Sequence, residues 1–255
     1  MDQMLSGKIV IITGAARGIG RTAAFAVAKA GASVTLADRD EEAVRGVAEE
    51  ITADGGSALA VGTDVAREDD VSRAVRMTLD KFGRLDGAFN NAGVEQRNTP
   101  LHQLSEAQWD VVIDINLKGV FFCMKHQIAA MLDSGGGSIV NTSSALGRVA
   151  IPNASEYCAS KGGVLGLTKG AALDYGTRNI RVNAVLPGVI RTPMIDSLVT
   201  QPQFSDLLPA LEARHPIGRI GKPEEVADAV VWLLSSRSSF VHGAEIAVDG
   251  GYLAV

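Results

Sequence analysis

The chain has 255 residues, is 46% hydrophobic and carries 24 basic against 29 acidic side chains, a formal charge of −5. Such a chain can bury a large core in a single domain, and with no basic block it excludes nucleic acid or an anionic membrane as a main partner. No apolar run approaches the ~18 residues of a membrane span, Met1 to Gly7 lacks a signal-peptide layout, and two cysteines with four scattered histidines give no metal-ligand spacing, so a reducing cytoplasm is the expected home.

Lys8 to Thr13 reads as a strand buried on both faces, because its centre is β-branched and continuously apolar. Gly14, Gly18 and Gly20 follow at once, and then an Ala-rich helix runs to about Ala30. Backbone N–H groups and the helix dipole at such a junction face an anion, and glycines let phosphates approach. The spacing G-x-x-x-G-x-G is a variant of the commoner dinucleotide fingerprint. Glycines alone would fit a tight turn; between strand and helix they favour nucleotide binding.

Ala32 to Ala37 is the next predicted strand, ended by Asp38. A carboxylate there either accepts hydrogen bonds from an adenosine ribose or caps the helix predicted from Glu41 to Ala53. A third strand covers Ser57 to Gly62. Asp64-Val65 follows, with Asp64 equally readable as a cap or turn residue. A helix from about Glu68 to Phe82 leads to strand Leu85–Asn90 and the run Asn91-Ala92-Gly93.

Ser105 and Gln108 make a capping box for a helix whose apolar stripe is Trp109, Val112, Ile113, Val120 and Met124. Asn116 lies on that stripe. A buried amide without partners costs of order 1–3 kcal/mol, so it is either a structural group bonded to backbone or a functional one. After Gly135-Gly136-Gly137, Ser138 to Ser143 is a fifth strand, and Ser144 sits past its carboxyl end, the edge where open α/β sheets bind ligands.

A helix is predicted from Ser155 to about Tyr175. Tyr157 and Lys161 are i and i+4 on it, hence on one face. A free phenol has a pKa near 10, a neighbouring ammonium lowers it, and a phenol so tuned can act as a general acid or base. Alone, the pair would read as a solvated helix face; the glycine loop and Ser144 make it a candidate site. On the same helix Gly162, Gly166 and Gly170 recur every four residues. Each costs ~1 kcal/mol relative to Ala, which predicts close packing, either within the chain or in a homo-oligomer. Strand Ile180–Leu186 and Pro187-Gly188 follow. Val189 to Gly221 is irregular, holds four prolines, and is expected to be a substrate lid. A helix led by Pro223 and strand Glu245–Val248 close the chain. With no repeat or linker, residues 1–255 are expected to form one domain.

Taken in order, Thr13-Gly14-x-x-x-Gly18-x-Gly20, Asp64-Val65, Asn90-Asn91-Ala92-Gly93, Asn116, Ser144, Tyr157-x-x-x-Lys161 and Pro187-Gly188 resemble the short-chain dehydrogenase/reductase family, in its compact single-domain branch, over essentially the whole chain. The resemblance implies a Rossmann fold: an α/β architecture with a seven-stranded parallel sheet of order 3-2-1-4-5-6-7 and helices on both faces. It implies Tyr157 as general acid/base, with Lys161 holding the nicotinamide ribose and lowering the Tyr157 pKa. Ser144 would bond the substrate oxygen, and Asn116 would hold a water that continues a proton path. Gly14, Arg17, Gly18, Ile19, Gly20 and Asp38 would bind the cofactor from the first glycine loop. Asp64 and Val65 would contact adenine, while Asn91, Ala92 and Gly93 support the cofactor, with Gly93 leaving room near the adenosine ribose. Pro187, Gly188, Ile190 and Thr192 would lie by the nicotinamide. Positions flanking these motifs suggest Val94, Glu95, Leu146, Ile151, Asn153, Val189 and Met194 as substrate lining.

Three functions fit. The first is an NAD(H)-dependent dehydrogenase of a small secondary alcohol or its ketone, without metal, as the family's homotetramer. The second is an NADPH-dependent 3-oxoacyl carrier-protein reductase, disfavoured because the arginines are dispersed. The third is a non-catalytic nucleotide-binding scaffold, disfavoured because Asn116, Ser144, Tyr157 and Lys161 are all present. Asp38 favours NAD over NADP; Arg17 and Arg39 argue the other way.

Overall fold

In the computed structural model, residues 3–193, 195 and 207–255 are described. Seven strands form one parallel sheet: β1 (Ile9–Thr13), β2 (Ser33–Asp38), β3 (Ser57–Gly62), β4 (Gly87–Asn90), β5 (Gly137–Thr142), β6 (Ile180–Pro187) and β7 (Glu245–Val248). Their order is β3-β2-β1-β4-β5-β6-β7, as expected. The chain reverses direction across the sheet between β1 and β4, so their carboxyl ends open a crevice there.

Helices cover both faces: α1 (Gly18–Lys29), α2 (Glu41–Ala53), α3 (Glu68–Phe82), α4 (Glu106–Ile113), α5 (Gly119–Ser134), α6 (Ser155–Tyr175), α7 (Leu207–Glu212) and α8 (Pro223–Leu234). The alternation of β1 sorts the core. Val10 and Ile12 join the cluster built with Val27 of α1, Val47 of α2 and Val230 of α8. Ile11 joins the opposite cluster with Val75 of α3, Met124 of α5 and Val164 of α6. Burying each such aliphatic side chain stabilises the fold by about 1.5–3 kcal/mol. Local signals agree with the packing: α3 opens on Glu68, Asp69 and Asp70 and ends at Gly83 with φ 82°, matching the helix dipole and the left-handed cap.

Three local expectations change. The helix that begins after Ser105 is interrupted by a π-helical turn at Asp114–Lys118, which carries Asn116. Trp109 is 37% exposed rather than on a buried stripe, because only Val112 of the short α4 is buried. The cap of α2 is Asp40, whose carboxylate accepts from Ala43 N at 3.2 Å, not Asp38.

The two ends of the segment 189–221 are tied together. Arg191 N donates to Gly221 O, and Gly221 N donates to Val189 O, both at 2.8 Å. Met194 and the central part of the expected lid lie outside the described residues. Among the described residues no helix is long and apolar enough to cross a membrane.

Candidate active site

The carboxyl ends of β1 and β4 are locked together by side chains the motifs supply. Thr13 Oγ1 accepts from Asn91 N at 3.0 Å and from Ala92 N at 3.1 Å. Asn91 Nδ2 donates to Thr13 O and Gly14 O, each at 3.3 Å. Gly14 has φ +67°, and a Cβ there would lie 2.9 Å from Ala92 Cα; one on Gly20 would lie 2.0 Å from Gly14 O. Only glycine allows this closure. Behind it, buried Asn90 exchanges hydrogen bonds with Gln127 and donates to Asn141 Oδ1.

The N-terminus of α1 has no side-chain cap and no acidic residue in its first turn. Its N–H groups are therefore open to an anion. Asp38 sits beside this loop: Oδ2 accepts from Ala16 N and Oδ1 from Asp40 N, both at 3.0 Å. Arg17 is paired with Asp40 at 2.8 Å, and Arg39 is exposed. Asp64 is a turn residue, accepting from Ala66 N at 3.0 Å. Val65 packs with Val71, Phe122 and Cys123.

A cleft of about 320 Å³ opens at the sheet edge beyond β4, β5 and β6. Ser144 leaves the end of β5 and lines the cleft together with Tyr157; its hydroxyl accepts from Leu146 N at 3.1 Å. Lys161, one turn further along α6, is 4% exposed. Its Nζ lies 5.6 Å from the Tyr157 ring centre and donates to Thr142 O at 3.0 Å. Burial pushes the lysine down to about 8.

Burial also pushes Tyr157 up to about 12; the nearby Ser144 hydroxyl pulls it down, and the charges of Glu95 and Cys158 push it up. The expected lowering by Lys161 is thus absent. Desolvation outweighs any attraction from a lysine that itself favours losing its charge.

Asn116 belongs to the wall behind the cleft. Its Oδ1 accepts from Val94 N at 2.8 Å, and its Nδ2 donates to Val94 O at 2.9 Å and to Ser160 Oγ at 3.4 Å. The amide therefore has the structural partners that were one of its two readings. A Cβ on Gly93 would lie 3.1 Å from Asn116 Oδ1 and 3.6 Å from Lys161 Nζ, so the bare glycine keeps clearance for these two side chains.

Of the residues expected from sequence, Ile19, Asn91, Gly93, Val94, Glu95, Ser144, Leu146, Ile151, Tyr157, Lys161, Pro187, Gly188, Val189, Ile190 and Thr192 all line this cleft. Asn153 does not: it is exposed, with left-handed φ of 61°. Gln96, Thr142, Leu211, Arg214 and Tyr252 also line the cleft and were not foreseen. Tyr252 meets His215 in a tilted ring contact with centroids 5.4 Å apart, so the last residues of the described chain reach the cleft through a contact no local pattern announces.

The residues fit a dinucleotide. Lys161 is a buried ammonium with one protein partner among the described residues, and the Thr142 hydroxyl beside it is buried without one. Both are groups that ribose hydroxyls can satisfy. Among the described residues no cluster of His, Cys, Asp or Glu could hold a metal ion.

A family model described as enoyl-(acyl carrier protein) reductase matches residues 14–253. The chain is 47% identical over 252 residues to a 2,5-dichloro-2,5-cyclohexadiene-1,4-diol dehydrogenase of Sphingobium indicum, covering 98% of this chain and 99% of the relative. It is 44% identical to a cyclohexanol dehydrogenase of an Acinetobacter species, covering 99% and 97%. The crystal structure of levodione reductase superposes with a TM-score of 0.92 at 37% identity, covering 98% of this chain and 99% of that one. With a matching family model, these relatives and the sheet order in agreement, the chain belongs to the short-chain dehydrogenase/reductase family.

Proposed function

We propose that this oxidoreductase moves a hydride between NAD(H) and a secondary alcohol or its ketone. The observation that carries the reading is the convergence of Ser144, Tyr157 and the buried Lys161 on one cleft at the carboxyl edge of the sheet. The nicotinamide, when bound, accepts or supplies the hydride. Ser144 and Tyr157 hold the substrate oxygen between two donors and so stabilise the charge that develops on it. In the oxidation direction Tyr157, as the phenolate, takes the proton of the alcohol and becomes the phenol; in reduction the phenol gives its proton to the ketone oxygen and is left as the phenolate. Lys161, with the Thr142 hydroxyl beside it, would bind the ribose hydroxyls of the cofactor. Asn116 fixes Val94, and with it the cleft wall.

Asp38 supports NAD. Its carboxylate is held against the glycine loop, and lone pairs remain for ribose hydroxyls. It would repel a 2′-phosphate, whereas Arg17 is engaged by Asp40. Relatives that act on ring alcohols support a cyclic secondary alcohol as the substrate. The family model's description keeps an acyl-carrier substrate as the second reading; an acidic wall residue, Glu95, and Asp38 weigh against it. A lid over 189–221 and a single catalytic domain belong to the same proposal. So does a homotetramer: Gly166 and Gly170 are exposed, and a Cβ on either would meet nothing within 4 Å. Free Cys123 and Cys158 fit a reducing compartment. Incubation with NAD or NADP and a panel of alcohols, diols and sugars, followed by nicotinamide absorbance, tests the reading; reduction of neither cofactor by any alcohol would refute it.

A further inference from the structure

The cleft is lined by one acidic group among the described residues, and the proton transfer does not use it. Glu95 lines it with Ser144, Tyr157 and Val189. The backbone on both sides of Glu95 is pinned. Val94 is held by Asn116 through its N–H at 2.8 Å and its carbonyl at 2.9 Å. Arg97 N donates to Glu156 Oε1 at 2.7 Å, and Glu156 is fully buried. A residue held so firmly between two anchors is placed rather than draped.

Its carboxylate has no hydrogen-bond or ion-pair partner among the described residues. It is exposed at the cleft wall, and the partial withdrawal from solvent there raises its pKa. Its charge reaches Tyr157 and opposes ionisation of the phenol. In the open cleft water can hydrate this exposed side chain, but a bound substrate that covers it must replace that water with a hydrogen bond. A carboxylate is an acceptor only, so the partner it fits is a donor. A substrate carboxylate or phosphate would be repelled, and a plain hydrocarbon wall would leave it desolvated and unpaired.

We propose that Glu95 accepts a hydrogen bond from a second hydroxyl of the substrate, which makes the substrate class a diol or polyol alcohol. This rests on the alcohol dehydrogenase reading above. The reacting hydroxyl lies between Ser144 and Tyr157, and the second one faces Glu95 across the same cleft. The bond orients the carbinol carbon and replaces the water that the substrate displaces from the carboxylate. Arg214 also lines the cleft, so a hydroxy acid paired with it is the competing substrate.

The test compares kcat/KM for cyclohexanol, the vicinal and para cyclohexanediols, and the matching hydroxycyclohexanecarboxylates in the wild type, Glu95→Gln and Glu95→Leu. The wild type should prefer at least one diol to cyclohexanol by roughly tenfold to a hundredfold, the worth of one hydrogen bond to a charged group. The preference should shrink in Glu95→Gln, which keeps a neutral acceptor, and vanish in Glu95→Leu. NAD binding checks that each variant is folded, and the Gln variant carries the comparison if the Leu variant is not. A preference that survives both substitutions, an absent diol preference, or a preference for the hydroxy acid overturns the role of Glu95 while leaving the dehydrogenase reading intact. No turnover of any alcohol overturns both.

Discussion

Asn116 grips Val94 by both backbone groups, accepting from its N–H at 2.8 Å and donating to its carbonyl at 2.9 Å. The π turn at Asp114–Lys118 places this amide, and the segment it holds leads directly to the wall of the cleft. Asn116→Ala should remove both bonds and leave two backbone groups short of partners. The expected loss is about 1–3 kcal/mol of stability, with substrate KM rising more than cofactor Kd. Thermal melts and separate binding titrations check this. A variant with unchanged melting and unchanged KM would show that the wall does not depend on the amide.

Lys161 should destabilise the unliganded protein. Its pKa falls from an ordinary value near 10.4 to about 8 because of burial. Below pH 8 it is charged both folded and unfolded, and the buried charge carries its full cost, roughly a few kcal/mol. From pH 8 to about 10 the folded form loses its proton first, so the unfolded state binds more protons and stability rises with pH. Tyr157 acts oppositely above pH 10, where the folded form keeps a proton up to about 12. Lys161→Met should therefore melt higher than the wild type at pH 7, with the gap narrowing between pH 8 and 10. A Met variant that melts lower at pH 7 would contradict this.

Asp38→Ala should erode the preference for NAD. Two unit charges ~4 Å apart interact by about 1 kcal/mol in water and about 4 at an effective dielectric of 20, so the repulsion of a 2′-phosphate is worth tenfold or more. The wild type should show at least that ratio of kcat/KM for NAD over NADP, and the variant a ratio near one. A wild type equal or better with NADP would mean that the exposed Arg39, or Arg17 freed from Asp40, decides the cofactor.

The open glycine face of α6 should be an interface between copies. Gly166→Leu puts a branched side chain on that face, where the single chain has space. Light scattering should show the wild type as a tetramer and the variant as smaller species. A wild type that is monomeric at micromolar concentration would refute the assembly.

Much of this was legible in the sequence because its causes are local. The glycines of β1–α1, the strand-end Ser144 and the i, i+4 pair Tyr157 and Lys161 sit where spacing alone put them. What escaped depends on contacts between distant segments. The π turn at Asn116 goes with a partner, Val94, that lies 22 residues away. Arg214 and Tyr252 arrive in the cleft from the last quarter of the chain. The sign of the Tyr157 shift is set by burial, which no spacing reveals, and it came out opposite to the expectation from a neighbouring ammonium. Asn153 flanks the Tyr157 motif in sequence but turns out to solvent.

The account stands most directly on the Tyr157 proton. Single-turnover and steady-state rates of Tyr157→Phe with NAD and a secondary alcohol that the wild type oxidises, measured beside NAD affinity, isolate it. The substitution removes only the phenolic oxygen, so turnover should fall by about 10²–10⁴ while NAD binding stays within a few fold. Turnover close to that of the wild type would contradict the mechanism.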